Sequence, residues 1–250
     1  MGQNTFRKEH HGNLRVLECE YDGLMALTKV GKVGVVKVLE YGNQDNEEWL
    51  VLERLLPPDH RLNYFAFGQN YAEHLNVKVG QDYGWERNNF IGNNVQINTP
   101  CSDWWEFYAV HRLEFQSKMA LDRGLLDSNL AKAITQIGQG LKNRWGGLTI
   151  WPSLLHGDLW AGNHMMRSTG EGVLIDPAVY RGHWEADFAM TKLFGGYPKE
   201  FYHGFHSVLP KEKEHEEREI LYNLYHVLNH LNLFGLSYLG QVRSMVRSLL

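Results

Sequence analysis

The chain has 250 residues, 43% of them hydrophobic, and carries 25 basic against 29 acidic side chains for a formal net charge of −4. That length and apolar content allow one large domain or two lobes, while the charge provides no general basic field for nucleic acid or an anionic membrane. No apolar run reaches bilayer length and no secretory signal pattern is present. Two distant cysteines, Cys19 and Cys101, support neither a disulfide framework nor a metal cluster, so a cytoplasmic location is expected.

In chain order, Met1 to Asn13 is polar, and Asn4 to Glu9 reads as a short strand with Lys8 near its end. His10-His11 is expected to be a mobile, solvated pair. Arg15 to Lys29 reads as a helix, with Leu17, Tyr21, Leu24 and Leu27 at helical spacing and Gly31 as the stop. Glu20 falls on the apolar face of that helix. It is either at the edge of the stripe and solvated, or inward and in need of a partner, for which Lys8 is the nearest candidate. Val33 to Tyr41 and Glu48 to Glu53 are strand-like runs around a turn at Gly42 to Asn46. Pro57-Pro58 then breaks the pattern. It is expected to divide a small lobe, residues 1–56, from a larger, mainly helical lobe, residues 57–250.

Beyond that boundary, Trp104 to Asp122, Ser128 to Arg144 and Glu216 to Tyr238 read as amphipathic helices. Lys211 to Glu219 is a mixed charge run, expected to be a solvated loop and helix start. His226 and His230 have a spacing that can hold a metal, but no third ligand accompanies them, and a structural or substrate-side role is expected.

The densest chemistry lies in His156-Gly157-Asp158-Leu159-Trp160-Ala161-Gly162-Asn163, followed by Leu174-Ile175-Asp176-Pro177. An Asp and an Asn five positions apart, then an Asp ending an apolar strand, is the layout of a phosphoryl-transfer site. In that layout Asp158 accepts the proton of the acceptor hydroxyl, while Asn163 and Asp176 hold magnesium against the phosphates of ATP. Asn163 to Arg167 and Val173 to Ile175 read as two strands around the turn Ser168 to Gly172. Their pairing would set the two oxygen ligands side by side, which suits a hard cation.

These motifs resemble those of the protein-kinase-like small-molecule kinases, and most closely the fructosamine kinase (ketosamine-3-kinase) family. The resemblance rests on Leu155 to Asn163, Ile175-Asp176-Pro177-Ala178, Tyr180 to Asp187 and Phe194-Gly195-Gly196-Tyr197-Pro198. It extends to Tyr83-Gly84-Trp85, Asn89-Phe90-Ile91-Gly92, Asp103-Trp104 and Leu228-Asn229-His230. It implies an α+β, bilobal kinase fold and ATP-dependent phosphorylation of the 3-hydroxyl of a ketosamine, free or on a protein lysine, which releases the adduct. Asp158 then matches the catalytic base, Asn163 and Asp176 the magnesium ligands, and Lys8 the lysine on the ATP phosphates with Glu20 as its helix partner. Glu53, Arg54 and Leu55 match the hinge whose backbone binds adenine. Asp187 matches a buried brace of the catalytic loop, and His156 is read as a brace of the same loop. Trp160 either stacks on the sugar or supports the loop.

One departure is visible. The family normally has a strand, a glycine-rich turn and a second strand before the lysine strand. Here Gly2 and Gly12 form no such loop, so weak ATP binding and low turnover are expected. Two rival readings follow: a related kinase for another small hydroxyl acceptor such as an aminoglycoside, choline or homoserine, and an inactive kinase-like binding protein.

Overall fold

The computed structural model describes residues 5–12, 15–55 and 63–250. The chain begins with β1 (Thr5–His11), α1 (Val16–Val30), β2 (Gly34–Val35), β3 (Val38–Gln44) and β4 (Glu47–Glu53). Strands β1, β4 and β3 form an antiparallel sheet in that order, with Lys8 opposite Leu50. Helix α1 packs on this sheet. Its Leu17, Leu24 and Leu27 are buried, and Gly31 ends it in the left-handed region at φ 70°. At the other end, the Leu17 N–H donates to the buried Glu48 carboxylate at 2.8 Å, so a charge from β4 meets the positive end of the helix.

Three expectations for this part change. His10 and His11 are not a mobile pair, because β1 continues through them against Glu48 and Glu47, and the His11 ring lies 3.1 Å from the Glu47 carboxylate. The turn is shorter than expected. Only Asp45 and Asn46 leave the ladder, both at positive φ, as a two-residue hairpin turn requires. The run from Val33 divides, since Gly34 and Val35 pair in parallel with Val173 and Leu174 and only Val38 onward joins the sheet. The boundary proposed at Leu56 and Pro57 lies outside the described residues.

The remainder comprises α2 (Tyr64–Leu75), β5 (Asn89–Ile91), β6 (Asn94–Gln96), α3 (Trp104–Tyr108), α4 (Phe115–Asp122), α5 (Ser128–Trp145), β7 (Ser153–Leu155), β8 (His164–Met166), β9 (Gly172–Leu174), β10 (Tyr180–Gly182), α6 (Trp184–Leu193), α7 (Lys199–His206), α8 (His215–Phe234) and α9 (Leu239–Leu249). Helices dominate, as expected. Helices α2 and α7 cross where neither tolerates a side chain. A Cβ at Gly68 would stand 2.0 Å from the Phe201 carbonyl oxygen, and one at Gly204 would stand 2.0 Å from that of Phe65. Tyr71 on α2 is thereby drawn into the interior.

The helix expected over Trp104 to Asp122 is interrupted by a π-helical segment, Ala109–Glu114. It carries Arg112, which is fully buried with its guanidinium 4.0 Å from the Tyr180 ring centre. Arg112 donates to the Ile97 carbonyl at 2.6 Å and to Asn98 Oδ1 at 2.8 Å, so neutral oxygens and an aromatic face replace a carboxylate. The charge run at Lys211 to Glu219 is not wholly solvated. Arg218, 1% exposed, makes a two-pronged contact with the equally buried Glu185 at 2.6 and 2.8 Å, and His215 joins at 2.9 Å. Helix α8 stops at Phe234 rather than Tyr238, because Gly235 (φ 83°) breaks it and a short 3-10 turn follows.

Candidate active site

The loop after β7 carries the predicted base. Gly157 adopts φ 84°, and a Cβ there would lie 1.9 Å from the Ala178 carbonyl oxygen, so only glycine permits this path. Asp187, on α6, sits behind the loop. Its carboxylate accepts from the His156 N–H at 2.6 Å, the Gly157 N–H at 2.9 Å and the Tyr71 hydroxyl at 2.5 Å. Burial pushes the Asp187 carboxyl up to about 6, against these three donors. His156 is fully buried and burial lowers it to about 4, so the ring is neutral. Its Nδ1 accepts the Asp158 N–H at 3.3 Å, leaving Nε2–H to donate to the Ile175 carbonyl at 2.8 Å. One imidazole therefore ties the base loop to the strand leading to Asp176.

The hairpin forms, but its first strand is trimmed at both ends, to His164–Met166, and its second is shifted by one residue, to Gly172–Leu174. His164 faces Leu174, and the Ile175 N–H donates to the Asn163 carbonyl at 3.1 Å, which sets Asn163 beside the residue preceding Asp176. Asn163 Nδ2 donates to the Asp158 carbonyl at 2.8 Å and to its carboxylate at 3.1 Å. The amide orientation leaves Oδ1 with no hydrogen bond among the described residues. Burial pushes the Asp158 carboxyl up to about 7; the Asn163 amide opposes this, and the Asp187 and Asp176 charges add to it.

Asp176 stands at φ 54°, unusual for a residue with a side chain, and pairs with Lys8. Lys8 also pairs with Glu20 at 2.8 Å, which settles Glu20 as inward-facing. Burial alone would lower Lys8, but the two carboxylates outweigh it and hold the ammonium above its ordinary value. Burial raises Glu20, with Lys8 opposing.

Lys8, Glu20, Asp158, Asn163 and Asp176 all line one cavity of about 240 Å³, with Phe90 and Gly92 of the β5–β6 hairpin on its wall. Lys8 and Asp176 also line a second, more apolar cavity of about 300 Å³, closed by Val36, Leu52, Glu53, Arg54, Leu55, Met165 and Ile175. The Glu53 carboxylate is occupied, accepting from Arg167 at 2.6 Å and the Lys37 N–H at 2.9 Å, so its part there is architectural. Asp158 also reaches a third cavity, of about 440 Å³, walled by Trp160, Phe194, Asn229, His230, Phe234 and Tyr238. Trp160 is exposed there, edge-on to Phe194, with its ring lying over Gly162. His156 and Asp187 line none of the three cavities.

The donor set at the first cavity fits magnesium: a carboxylate from Asp176 and the unpartnered Asn163 Oδ1 are hard oxygens, which such a cation takes alongside phosphate oxygens and water. Among the described residues no group of three or more His, Cys, Asp or Glu forms a self-sufficient metal site. His226 is buried and pushed down to about 3 by burial, and its carbonyl accepts from His230 Nδ1 at 2.8 Å, so the pair is structural and cavity-lining rather than a metal clamp. Tyr71 escaped the sequence reading, and Phe90 and Gly92 were named there only within the motif Asn89 to Gly92, with no place in the site. The Gly92-Asn93 turn between two short apolar runs is a hairpin signal that would have placed the last two, whereas nothing local marks Tyr71.

Comparison with known proteins identifies the family. The family described as fructosamine kinase matches over residues 2–250. A Synechocystis protein named a probable ketoamine kinase is 38% identical over 237 residues, covering 94% of this chain and 79% of the relative. The chloroplastic protein-ribulosamine 3-kinase of Arabidopsis thaliana is 42% identical over 187 residues, 74% of this chain and 57% of that protein. Among solved structures, one from Haemophilus somnus, assigned to fructosamine-3-kinase, superposes with a TM-score of 0.89 at 26% identity, covering 98% of this chain and 83% of that one. An ADP-bound aminoglycoside phosphotransferase shares the fold alone, with a TM-score of 0.58 at 13% identity over 98% and 86% of the two chains.

Proposed function

The chain belongs to the fructosamine kinase family, and on that premise we propose that it is an ATP-dependent ketosamine 3-kinase that phosphorylates a sugar 3-hydroxyl and so promotes deglycation. The observation that carries this reading is that Asp158 is shared between the cavity holding Lys8, Asn163 and Asp176 and the separate cavity walled by Trp160 and Asn229. A base reaching both is what transfer between two substrates needs.

ATP would place its adenine in the apolar cavity beside Arg54 and Leu55, whose backbone N–H groups make no backbone hydrogen bond among the described residues. Lys8, steadied by Glu20, meets the phosphates. Asn163 and Asp176 would hold magnesium, which offsets the charge that develops on the transferring phosphoryl group. Asp158 orients the acceptor hydroxyl and takes its proton late. A carboxyl pushed towards neutrality suits that task better than a strongly acidic one. Asp187 and His156 keep Asp158 in register. The small lobe, residues 1–56, supplies Lys8 and Glu20, and the larger one supplies the base. No helix among the described residues is long and apolar enough to cross a membrane. The two cysteines are unpaired, which supports a reducing compartment such as the cytoplasm.

The relatives' names favour ketosamines over aminoglycosides or choline, and the intact constellation speaks against a catalytically dead binding protein. The direct test is magnesium-dependent transfer of phosphate from ATP to a ribulosamine-lysine. Turnover should appear in the wild type and fall by orders of magnitude in Asp158→Asn, with ATP affinity nearly unchanged. Transfer that survives this substitution would remove Asp158 as the base. Absence of transfer to every ketosamine, with transfer to another hydroxyl acceptor, would overturn the substrate reading.

A further inference from the structure

Asn229 lies on α8, is 1% exposed, and lines the third cavity together with Asp158 and Trp160. Its Oδ1 accepts two hydrogen bonds, from Asn94 Nδ2 at 2.8 Å and from Gln116 Nε2 at 3.2 Å. The Gln116 amide is itself set by Asn232, whose Nδ2 donates to Gln116 Oε1 at 2.8 Å. The donors run in one direction through this buried chain of amides, so the Asn229 amide cannot turn over without placing N–H groups against N–H groups. With both lone pairs of Oδ1 used on the protein side, Nδ2 is left for the cavity, and it donates to no protein atom among the described residues.

A buried amide with unmet donors is costly unless a ligand or water takes them. Here the unmet donor opens into the space next to the base. Among the described residues Asp158 is the only carboxylate, and no lysine or arginine lies on the wall of that cavity. The remaining wall offers aromatic faces, apolar side chains and neutral hydrogen-bonding groups, a surface on which a sugar can lie with its hydroxyls against polar atoms.

We propose that Asn229 is a specificity-determining residue that donates Nδ2–H to a hydroxyl oxygen of the acceptor sugar, with Asn94 and Gln116 as positioning residues that fix its orientation. This rests on the ketosamine kinase reading above. The hydrogen bond holds the sugar so that one hydroxyl, and not its neighbour, faces Asp158.

The test compares wild type, Asn229→Ala and Asn229→Ser with ribulosamine-lysine and with a panel of its singly deoxygenated analogues, measuring kcat and KM for the acceptor and, separately, Mg-ATP affinity. The expected result is a loss of roughly 10- to 100-fold in acceptor kcat/KM for both variants, with Mg-ATP affinity unchanged. One deoxy analogue should be turned over correspondingly poorly by wild type yet lose little further in Asn229→Ala, which identifies the oxygen contacted. An acceptor kcat/KM within threefold of wild type would overturn the proposal. So would a parallel loss of Mg-ATP affinity, or an equal penalty for every analogue, since either means that the amide chain serves only packing. A wild type that transfers phosphate to no ketosamine at all would instead overturn the functional reading, and this proposal with it.

Discussion

Asp187 accepts the backbone N–H of His156 across a separation of 31 residues, at 2.6 Å, and through that bond α6 dictates the path of the loop that carries Asp158, the proposed base. The same carboxylate takes the next N–H, of Gly157, and the hydroxyl of Tyr71. Removing it would leave two buried backbone donors unpaired. Asp187→Ala should therefore cost about 2–5 kcal/mol and abolish activity, whereas Tyr71→Phe, which removes one of three donors, should cost about 1–2 kcal/mol. Urea unfolding of both variants decides this; equal midpoints for the two would mean that the brace does not depend on the carboxylate.

Lys8 stands between Glu20 and Asp176 and is the cation at that point of the cavity. Lys8→Met should weaken Mg-ATP binding and lower kcat, together by at least about 100-fold in kcat/KM for ATP. Because the substitution leaves the inward-facing Glu20 carboxylate without its partner, a stability loss of about 1–3 kcal/mol is also expected. A thermal-shift titration with Mg-ATP reads both effects. Nucleotide affinity equal to wild type would remove Lys8 from the phosphate site.

Gly157→Ala combines a strained φ with a Cβ driven into the Ala178 carbonyl, the residue whose N–H donates to the His156 carbonyl at 2.8 Å. The loop has to open to accept it. A loss of about 2 kcal/mol or more in stability is expected, with turnover falling more than tenfold. Full activity in this variant would show that the base tolerates displacement of its loop.

Stability should fall on mild acidification. His74, His156 and His183 are lowered to about 4, and His226 to about 3, all chiefly by burial. The unfolded chain binds protons at these positions near pH 6.5, so their contribution is complete above that value and is lost as the pH falls towards 4. Each histidine gives up about 1.4 kcal/mol for every tenfold rise in proton activity across that window. Asp158 and Asp187, raised by burial to about 7 and about 6, act oppositely, favouring the folded state at low pH. The four histidines outweigh the two carboxylates. The urea midpoint should thus be lower at pH 5.0 than at pH 7.5; an equal or higher midpoint would mean that the carboxylates win.

That Asp158, Asn163 and Asp176 come together was legible because they are close in sequence. Asp158 and Asn163 share one loop, and the hairpin that brings Asp176 alongside is written in a short apolar strand and a glycine turn. Lys8 and Glu20 were legible only as a pair to be tested, since the helix face left Glu20 either solvated at the edge of the stripe or inward, and the 2.8 Å contact decides between them. Local pattern was weaker where the ladder overrode it. His10 and His11 look like solvated loop, yet β4 offers them partners and β1 extends to meet it.

By itself, then, the order of residues determined most of the periodic helices and the hairpin that sets Asn163 near Asp176, because each depends on neighbours within about twenty positions. Tertiary structure alone decided which polar groups are buried. Arg112 within an aromatic cage, Arg218 locked to Glu185 inside what reads as a solvated charge run, and Asn229 held by Asn94 and Gln116 from 135 and 113 positions away all depend on partners brought by distant packing. A polar side chain carries the same local signature whether water or protein satisfies it, and only the assembled core determines which of the two it meets.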